Sequence, residues 1–301
     1  MQKLTNDKNS EKKDVDNNLI DTKEEKSQTF GEKHKNNMLI PLNTGLTIIK
    51  PKSIKKFRNF RKIRLVTVYI ISLTIVAFSF FQIGRLQKQK EKTITLASEL
   101  RSYISESTES QENLNERYIV DFGGLKKINP DTKGWIKVNG VGIDLPVVQS
   151  TDNSYYLKHS FDKSYNVCGW IFADYRNNLD ATDRNTIIYG HNRRDGTMFS
   201  PMANILESDW YDNDENRYIT FLTEEGESTY EVFSIYQVKV EDFYIQTNFP
   251  TDEKYQEFLD VIKSRSVKKY DTNLTTNDKI LTISTCGKEN EYRVVLHAKR
   301  I

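Results

Sequence analysis

The sequence has no metal-binding cluster, no glycine-rich phosphate loop and no dinucleotide fingerprint, so neither a metal nor a cofactor is expected. With only two cysteines in 301 residues, Cys168 and Cys286, at most one disulfide bridge is available. A single long apolar run excludes a polytopic membrane protein, and 37% hydrophobic with 29% charged residues excludes a wholly disordered one. Basic charge is scarce where a nucleic-acid surface would need it. Residues 1–64 hold 16 basic against 8 acidic side chains, whereas the remainder holds 28 against 34, so no nucleic-acid partner is expected of the acidic globular part.

The apolar run is 65–84, twenty residues without a charge. At about 1.5 Å per residue a helix of that length spans roughly 30 Å of hydrocarbon, enough for one membrane crossing. It exceeds the apolar core of a signal peptide, and Gln82-Ile83-Gly84-Arg85 is not a small-residue cleavage site. Residues 50–64 carry eight basic residues and 85–99 carry four, which places the N-terminus in the cytoplasm and everything after the span outside the cell.

The chain therefore divides into a disordered tail with a basic juxtamembrane run (1–64), a transmembrane anchor (65–84), an extracellular stalk (85–118) and a globular domain (119–301). If the stalk merely lifts the domain off the membrane, a chain beginning near Ser110 should be soluble and keep whatever the domain does. In the domain, a short helix ends at Asn129-Pro130, because the residue before proline avoids helical geometry. Short β-type runs follow at 135–138, 143–148, 169–173, 186–189, 218–222, 229–240, 279–285 and 293–298, with Asn139-Gly140 as a hairpin turn. Seven or eight such strands with mostly non-helical links suggest an antiparallel barrel or sandwich. One helix interrupts them at 252–266, with Thr251 as N-cap and Tyr255, Phe258, Leu259 and Ile262 at helical spacing.

Cys286 ends one predicted strand and Arg293 begins the next. A four-residue loop at 288–291 would place the two directly opposite each other and on one face. A cysteine nucleophile also needs a proton partner, and His159, His191 and His297 are the candidates beyond the span. His191 leaves the strand 186–189 at a rim, His159 lies in a polar loop, and His297 sits inside the last strand as a structural histidine would. Asp195, in Asp195-Gly196, reads first as a turn residue.

Tyr189-Gly190-His191-Asn192, Thr282-Ile283-Ser284-Thr285-Cys286 and the following Arg293 resemble the signature elements of sortases, the membrane-anchored cysteine transpeptidases of Gram-positive bacteria. The order His, Cys, Arg and the N-terminal anchor are similar too. Ile128-Asn129-Pro130-Asp131-Thr132, Asp152-Asn153-Ser154-Tyr155-Tyr156-Leu157, Phe172-Ala173-Asp174-Tyr175-Arg176-Asn177 and the helix before the Cys strand resemble class B. The resemblance implies a closed antiparallel sortase-type barrel of about eight strands, in which Cys286 attacks the Thr carbonyl of an NPxT-type sorting signal on a secreted protein and forms a thioacyl enzyme. His191 would move the proton, and Arg293 would stabilise the oxyanion or hold the substrate backbone. Ser284 and Thr285 would touch substrate. The acyl acceptor would be an amine of peptidoglycan or of its lipid-linked precursor. Rival readings are a pilin-polymerising sortase and a membrane-tethered binding module without catalysis. A permanent Cys168–Cys286 disulfide would silence the nucleophile, so free thiols are expected.

Overall fold

The computed structural model describes residues 54–107, 117–180, 182–193, 195–286 and 291–301; residues 1–53 of the expected tail (1–64), residues 108–116 of the expected stalk (85–118) and most of the 288–291 loop lie outside them. Helix α1, Ile54–Leu100, runs unbroken for 47 residues, with no proline to interrupt it. It is long and apolar enough to cross a membrane, and residues 65–84 are exposed apart from half-buried Gln82.

Within the expected stalk (85–118), the end of α1 is docked. Thr93 and Leu100 are buried, and Leu96 and Ala97 pack against the barrel core, a set with the i, i+3, i+4, i+7 spacing of one helix face. Asn166 Nδ2 donates to Thr93 Oγ1 (2.8 Å), and Lys92 pairs with Asp162 (2.9 Å). Beyond α1, β1 (Ile104–Ser107) pairs with β2 (Arg117–Val120), and Tyr103, Ile104 and Tyr118 also lie on the core. A chain starting at Ser110 would lose Leu100, that helix face and β1. We expect it to be less stable than a chain starting at Gln87 by on the order of 3–5 kcal/mol, the scale of one or two large buried side chains. Thermal unfolding of the two truncations measures the difference; equal midpoints would mean that this contact contributes nothing.

Helix α2, Phe122–Ile128, is capped by Asp121, whose side chain accepts from Gly124 N (2.8 Å), and it ends at Asn129-Pro130 as expected. The barrel follows: β3 (Thr132–Val138), β4 (Ile143–Val148), β5 (Phe172–Ala173), β6 (Asn185–His191), β7 (Tyr218–Thr223), β8 (Gly226–Lys239), β9 (Ile280–Cys286) and β10 (Tyr292–Arg300). Its strand order is β10-β8-β7-β3-β4-β5-β6-β9, closed on itself. The eight-stranded closed barrel agrees with the sequence reading, but it is mixed rather than wholly antiparallel, since β4 pairs with β5 and β6 with β9 in parallel. Parallel neighbours need a long crossover, and the β6-to-β9 connection supplies one. That excursion holds α3 (Ser208–Tyr211), β7, β8 and α4 (Asp252–Ser264).

Two apolar layers hold the barrel. Trp135, Ile136, Ile188, Leu281, Ile283 and Leu296 belong to the larger core. On the other face of β8, β9 and β10, the α4 residues Tyr255, Phe258, Leu259 and Ile262 cover Phe233, Tyr236, Ile280 and Val295. Thr251 caps α4 by accepting from Lys254 N, as its sequence position predicts. Alternation along β9 thus sends Leu281 and Ile283 into the larger core, while Thr282 and Ser284 share the face of Ile280 on the α4 side.

Candidate active site

The parallel pairing of β6 with β9 puts His191 in register with Cys286, the last residues of both strands. Neighbouring strands lie about 4.8 Å apart, so these positions are side by side at one end of the barrel. On the other side of β9, β10 pairs from Val295↔Ser284 to Lys299↔Ile280, the register that the sequence predicts for an Arg293–Cys286 pair. Above Val295 the pairing changes character, because Val294 N donates to the side-chain Oγ1 of Thr285 (2.9 Å). Arg293, half-buried, pairs with Val238 on β8. The three residues therefore sit at the same barrel end, on the consecutive strands β6, β9 and β10.

His191 is half-buried, and its Nε2 lies 2.7 Å from the Leu157 carbonyl oxygen. A carbonyl only accepts, so Nε2 carries the proton of that bond. The carbonyl is itself held in place. Asp152 Oδ1 accepts from Ser154 N (2.6 Å) and Tyr155 N (2.8 Å) to shape the turn Tyr155–Leu157. The buried Tyr156 hydroxyl donates to Asp131 Oδ2 (2.6 Å) and accepts from Asn129 Nδ2 (2.9 Å). Burial, followed by the Asp131 bond, pushes the Tyr156 phenol well above its ordinary pKa. Gly169 closes the cradle from the other side at φ 64°; a Cβ there would come within 2.5 Å of Tyr156 O and 2.9 Å of the His191 ring.

Asp195 is committed to its own turn. Its carboxylate accepts from Arg193 Nε (2.8 Å) and from Thr197 N and Oγ1 (3.1 and 2.6 Å), which ties Arg193 and Thr197 to one carboxylate. Burial alone would raise its pKa, but those bonds outweigh it and hold the carboxyl below its usual range. Ser284 and Thr285 are also engaged internally. Both are buried; Ser284 Oγ is 3.1 Å from the Tyr244 hydroxyl, and Thr285 Oγ1 is taken by Val294 N. Cys168 is buried and free, with Sγ 4.0 Å from Asp195 Oδ2. His159 stacks on Tyr155 with ring centroids 4.0 Å apart.

Segment 243–246 lies beside both β6 and β9, which the sequence did not signal. Tyr244 meets Ser284, two residues before Cys286. The carbonyl of Ile245 accepts from Arg176 Nη2 (2.9 Å), and Arg176 pairs with the buried Asp174, which also accepts from the hydroxyl of Tyr189 (2.9 Å), two residues before His191. Asn185 Nδ2 donates to Gln246 O (2.8 Å). The segment is thus tied directly to β9 two residues before Cys286 and to the start of β6 at Asn185, while Arg176 and Asp174 relay it to Tyr189.

Asn185 also ends a buried polar chain. Thr282 Oγ1 donates its one hydrogen to Asn185 Oδ1 (2.6 Å), so His297 Nδ1, 2.9 Å away, must donate to Thr282, and His297 Nε2 accepts from the Tyr236 hydroxyl (2.9 Å). His297 is therefore neutral and structural. Burial, then the Arg265 charge, lowers its pKa from 6.5 to about 3. The unfolded chain binds a proton near pH 6.5 that the folded chain refuses, so the stabilising contribution is whole above pH 6.5 and is lost as pH falls toward 3. Each pH unit in that window costs about 1.4 kcal/mol. Urea unfolding at pH 7 and 5 should show a loss on the order of 2 kcal/mol that His297→Leu largely removes; the same loss in that variant would assign it to carboxylates instead.

The sortase domain family matches residues 136–301. Sortase B of Listeria monocytogenes is 32% identical over 237 residues, which cover 77% of this chain and 94% of the relative. The crystal structure of Clostridium perfringens sortase B is 42% identical, with a TM-score of 0.56 over 60% of this chain and 98% of that one. A Staphylococcus aureus sortase B–substrate complex is 34% identical, with a TM-score of 0.57 over 73% and 96% of the two chains.

Proposed function

The chain belongs to the sortase family and is a class B cysteine transpeptidase, and from this premise we propose that it cleaves an NPxT-type sorting signal near the C-terminus of a secreted protein and joins the released Thr carbonyl to a peptidoglycan amine. The observation that carries the reading is the register of His191 with Cys286, with Arg293 at the same end of the next strand.

In this reaction the Cys286 thiol gives up its proton to His191 and its sulfur attacks the Thr carbonyl carbon, and the tetrahedral intermediate collapses to a thioacyl enzyme as the C–N bond breaks. His191 gives a proton to the departing amine. It takes one from the incoming amine when that nitrogen displaces the thiol. Because Nε2–H is committed to Leu157 O, Nδ1 is the nitrogen that exchanges the proton. Arg293 donates to the oxyanion or to the substrate backbone. Ser284 and Thr285 serve by fixing segment 243–246 and the start of β10 relative to Cys286. A relative's complex with substrate and a sortase B complex with triglycine support the peptide donor and the amine acceptor.

Residues 65–84 form the membrane anchor in this reading. The N-terminus is cytoplasmic, as the basic run at 50–64 favours, and the catalytic unit is extracellular. Mass spectrometry after mixing the protein with an NPxT peptide library tests the proposal. A thioacyl adduct on Cys286 that triglycine discharges is the expected result. A bound peptide without a covalent adduct would identify a binding module instead, and discharge by a pilin lysine but not by triglycine would identify a pilin polymerase.

A further inference from the structure

Resting on the reading of 65–84 as the anchor, the course of α1 fixes how far the catalytic unit can stand from the bilayer. The helix leaves the apolar run at Gly84 and continues without a break to Leu100. Its bonds to the catalytic unit begin almost at once. Gln89 O accepts from Asn166 Nδ2 (3.5 Å), Lys92 Nζ donates to Asp162 Oδ2 (2.9 Å) and Ser164 Oγ (2.7 Å), and Thr93 Oγ1 accepts from Asn166 Nδ2 (2.8 Å). From Gly84 to Gln89 and Thr93 the rise is roughly 7–14 Å, while the headgroup layer on one side of a bilayer is about 5–8 Å thick. Tilt of the helix only lowers the unit further. Segment 158–166 is thus held within a side chain's length of the headgroups.

The composition of that rim suits the place. Tyr165 is 56% exposed, its ring edge on to His159, which is stacked on Tyr155. Tyrosine favours the boundary between hydrocarbon and water. Lys158 on the segment and Arg85 and Lys88 on the adjoining turns of α1 are exposed and basic, in a catalytic part that is acidic as a whole. Such a cluster attracts anionic headgroups.

We propose that segment 158–166, with Tyr165, is a second membrane contact that lies among the outer-leaflet headgroups. Its two ends carry the His191 site: the Leu157 carbonyl binds His191 Nε2, and the Val167 carbonyl accepts from Arg193 Nη1 (2.9 Å). The contact therefore holds the His191 side of the transpeptidase site close to the bilayer surface.

The test uses the full chain in lipid nanodiscs with bromine-labelled acyl chains, which quench nearby tryptophan. Trp135, Trp170 and Trp210 are buried in the catalytic unit and supply an unquenched background. Tyr165→Trp should add emission that brominated discs largely remove, more so in anionic than in zwitterionic lipid. Phe81→Trp, inside the apolar run, reports the anchor separately. Quenching at 81 without quenching at 165 would overturn the second contact alone. No quenching at either position would overturn the anchor reading and this proposal together.

Discussion

Cys286→Ala is expected to lower transpeptidation by on the order of 10⁴-fold or more and to abolish the thioacyl adduct, because the thioester needs a sulfur at the end of β9. The fold should survive, since β9 keeps its backbone pairing with β6 and β10. Cys168, the other thiol, supplies the contrast. It is fully buried, with its sulfur near the carboxylate of Asp195, where a peptide carbonyl cannot reach it. Cys168→Ala should cost about 1–2 kcal/mol of stability for the small cavity it leaves, with most activity retained. Adduct mass and turnover, read beside unfolding midpoints, separate the two variants. Equal loss of activity from both would point to a required disulfide and remove the free-thiol chemistry.

The parts of the fold legible in the sequence are those that local chemistry determines. Thr251 followed by Tyr255, Phe258, Leu259 and Ile262 writes a capped amphipathic helix, and Asn139-Gly140 writes a tight turn between β3 and β4. The parallel partnership of β6 and β9 is not local. A period of two reports which face a residue takes, never which strand lies beside it. Asn185 on β6 and Thr282 on β9 are 97 positions apart, and β7, β8 and α4 intervene before the two strands meet. The docking of α1 was hidden for a different reason. Its buried face contains Thr93 and Ala97, with Gln89 beside it, while Ile94, which looks like a core residue, is 51% exposed. Polar side chains that bury by pairing with Asn166 leave little trace in a hydrophobic pattern.

The site divides in the same way. Cys286, Arg293 and His191 stand on short motifs, and the β9–β10 register could be counted from the length of one loop. What holds His191 could not be found like this, because a backbone carbonyl such as that of Leu157 has no sequence identity of its own. Its supports did leave marks: Asn129, Asp131 and Tyr156, and likewise Asp174 and Arg176, belong to the runs that resemble class B. They read as family features in the sequence and as hydrogen-bonded scaffolding in the structure. Ser284 lies two positions before Cys286 on one strand, yet being near a site and being open to it differ. Tyr244 arrives from 40 residues away and meets its hydroxyl.

Arg293→Lys is the variant that separates charge from geometry. Lysine keeps one positive charge but presents a compact ammonium in place of a planar fork of donors, so it cannot serve two acceptor positions at once. In the proposed reaction Arg293 acts beside Cys286 where negative charge develops on the carbonyl oxygen, and losing one such donor lowers turnover by roughly 10²–10³. Little else should change, since the backbone of Arg293 pairs with Val238 and its neighbour Val294 is tied to Thr285 Oγ1 through its amide. Iodoacetamide should still label Cys286. The form of the loss distinguishes the two roles: a donor to the oxyanion lowers kcat with KM nearly constant, whereas a clamp on the bound peptide raises KM. Turnover close to that of the unaltered protein would show that Arg293 is only a strand residue at the barrel rim, and the Cys–Arg juxtaposition would then have no part in the chemistry.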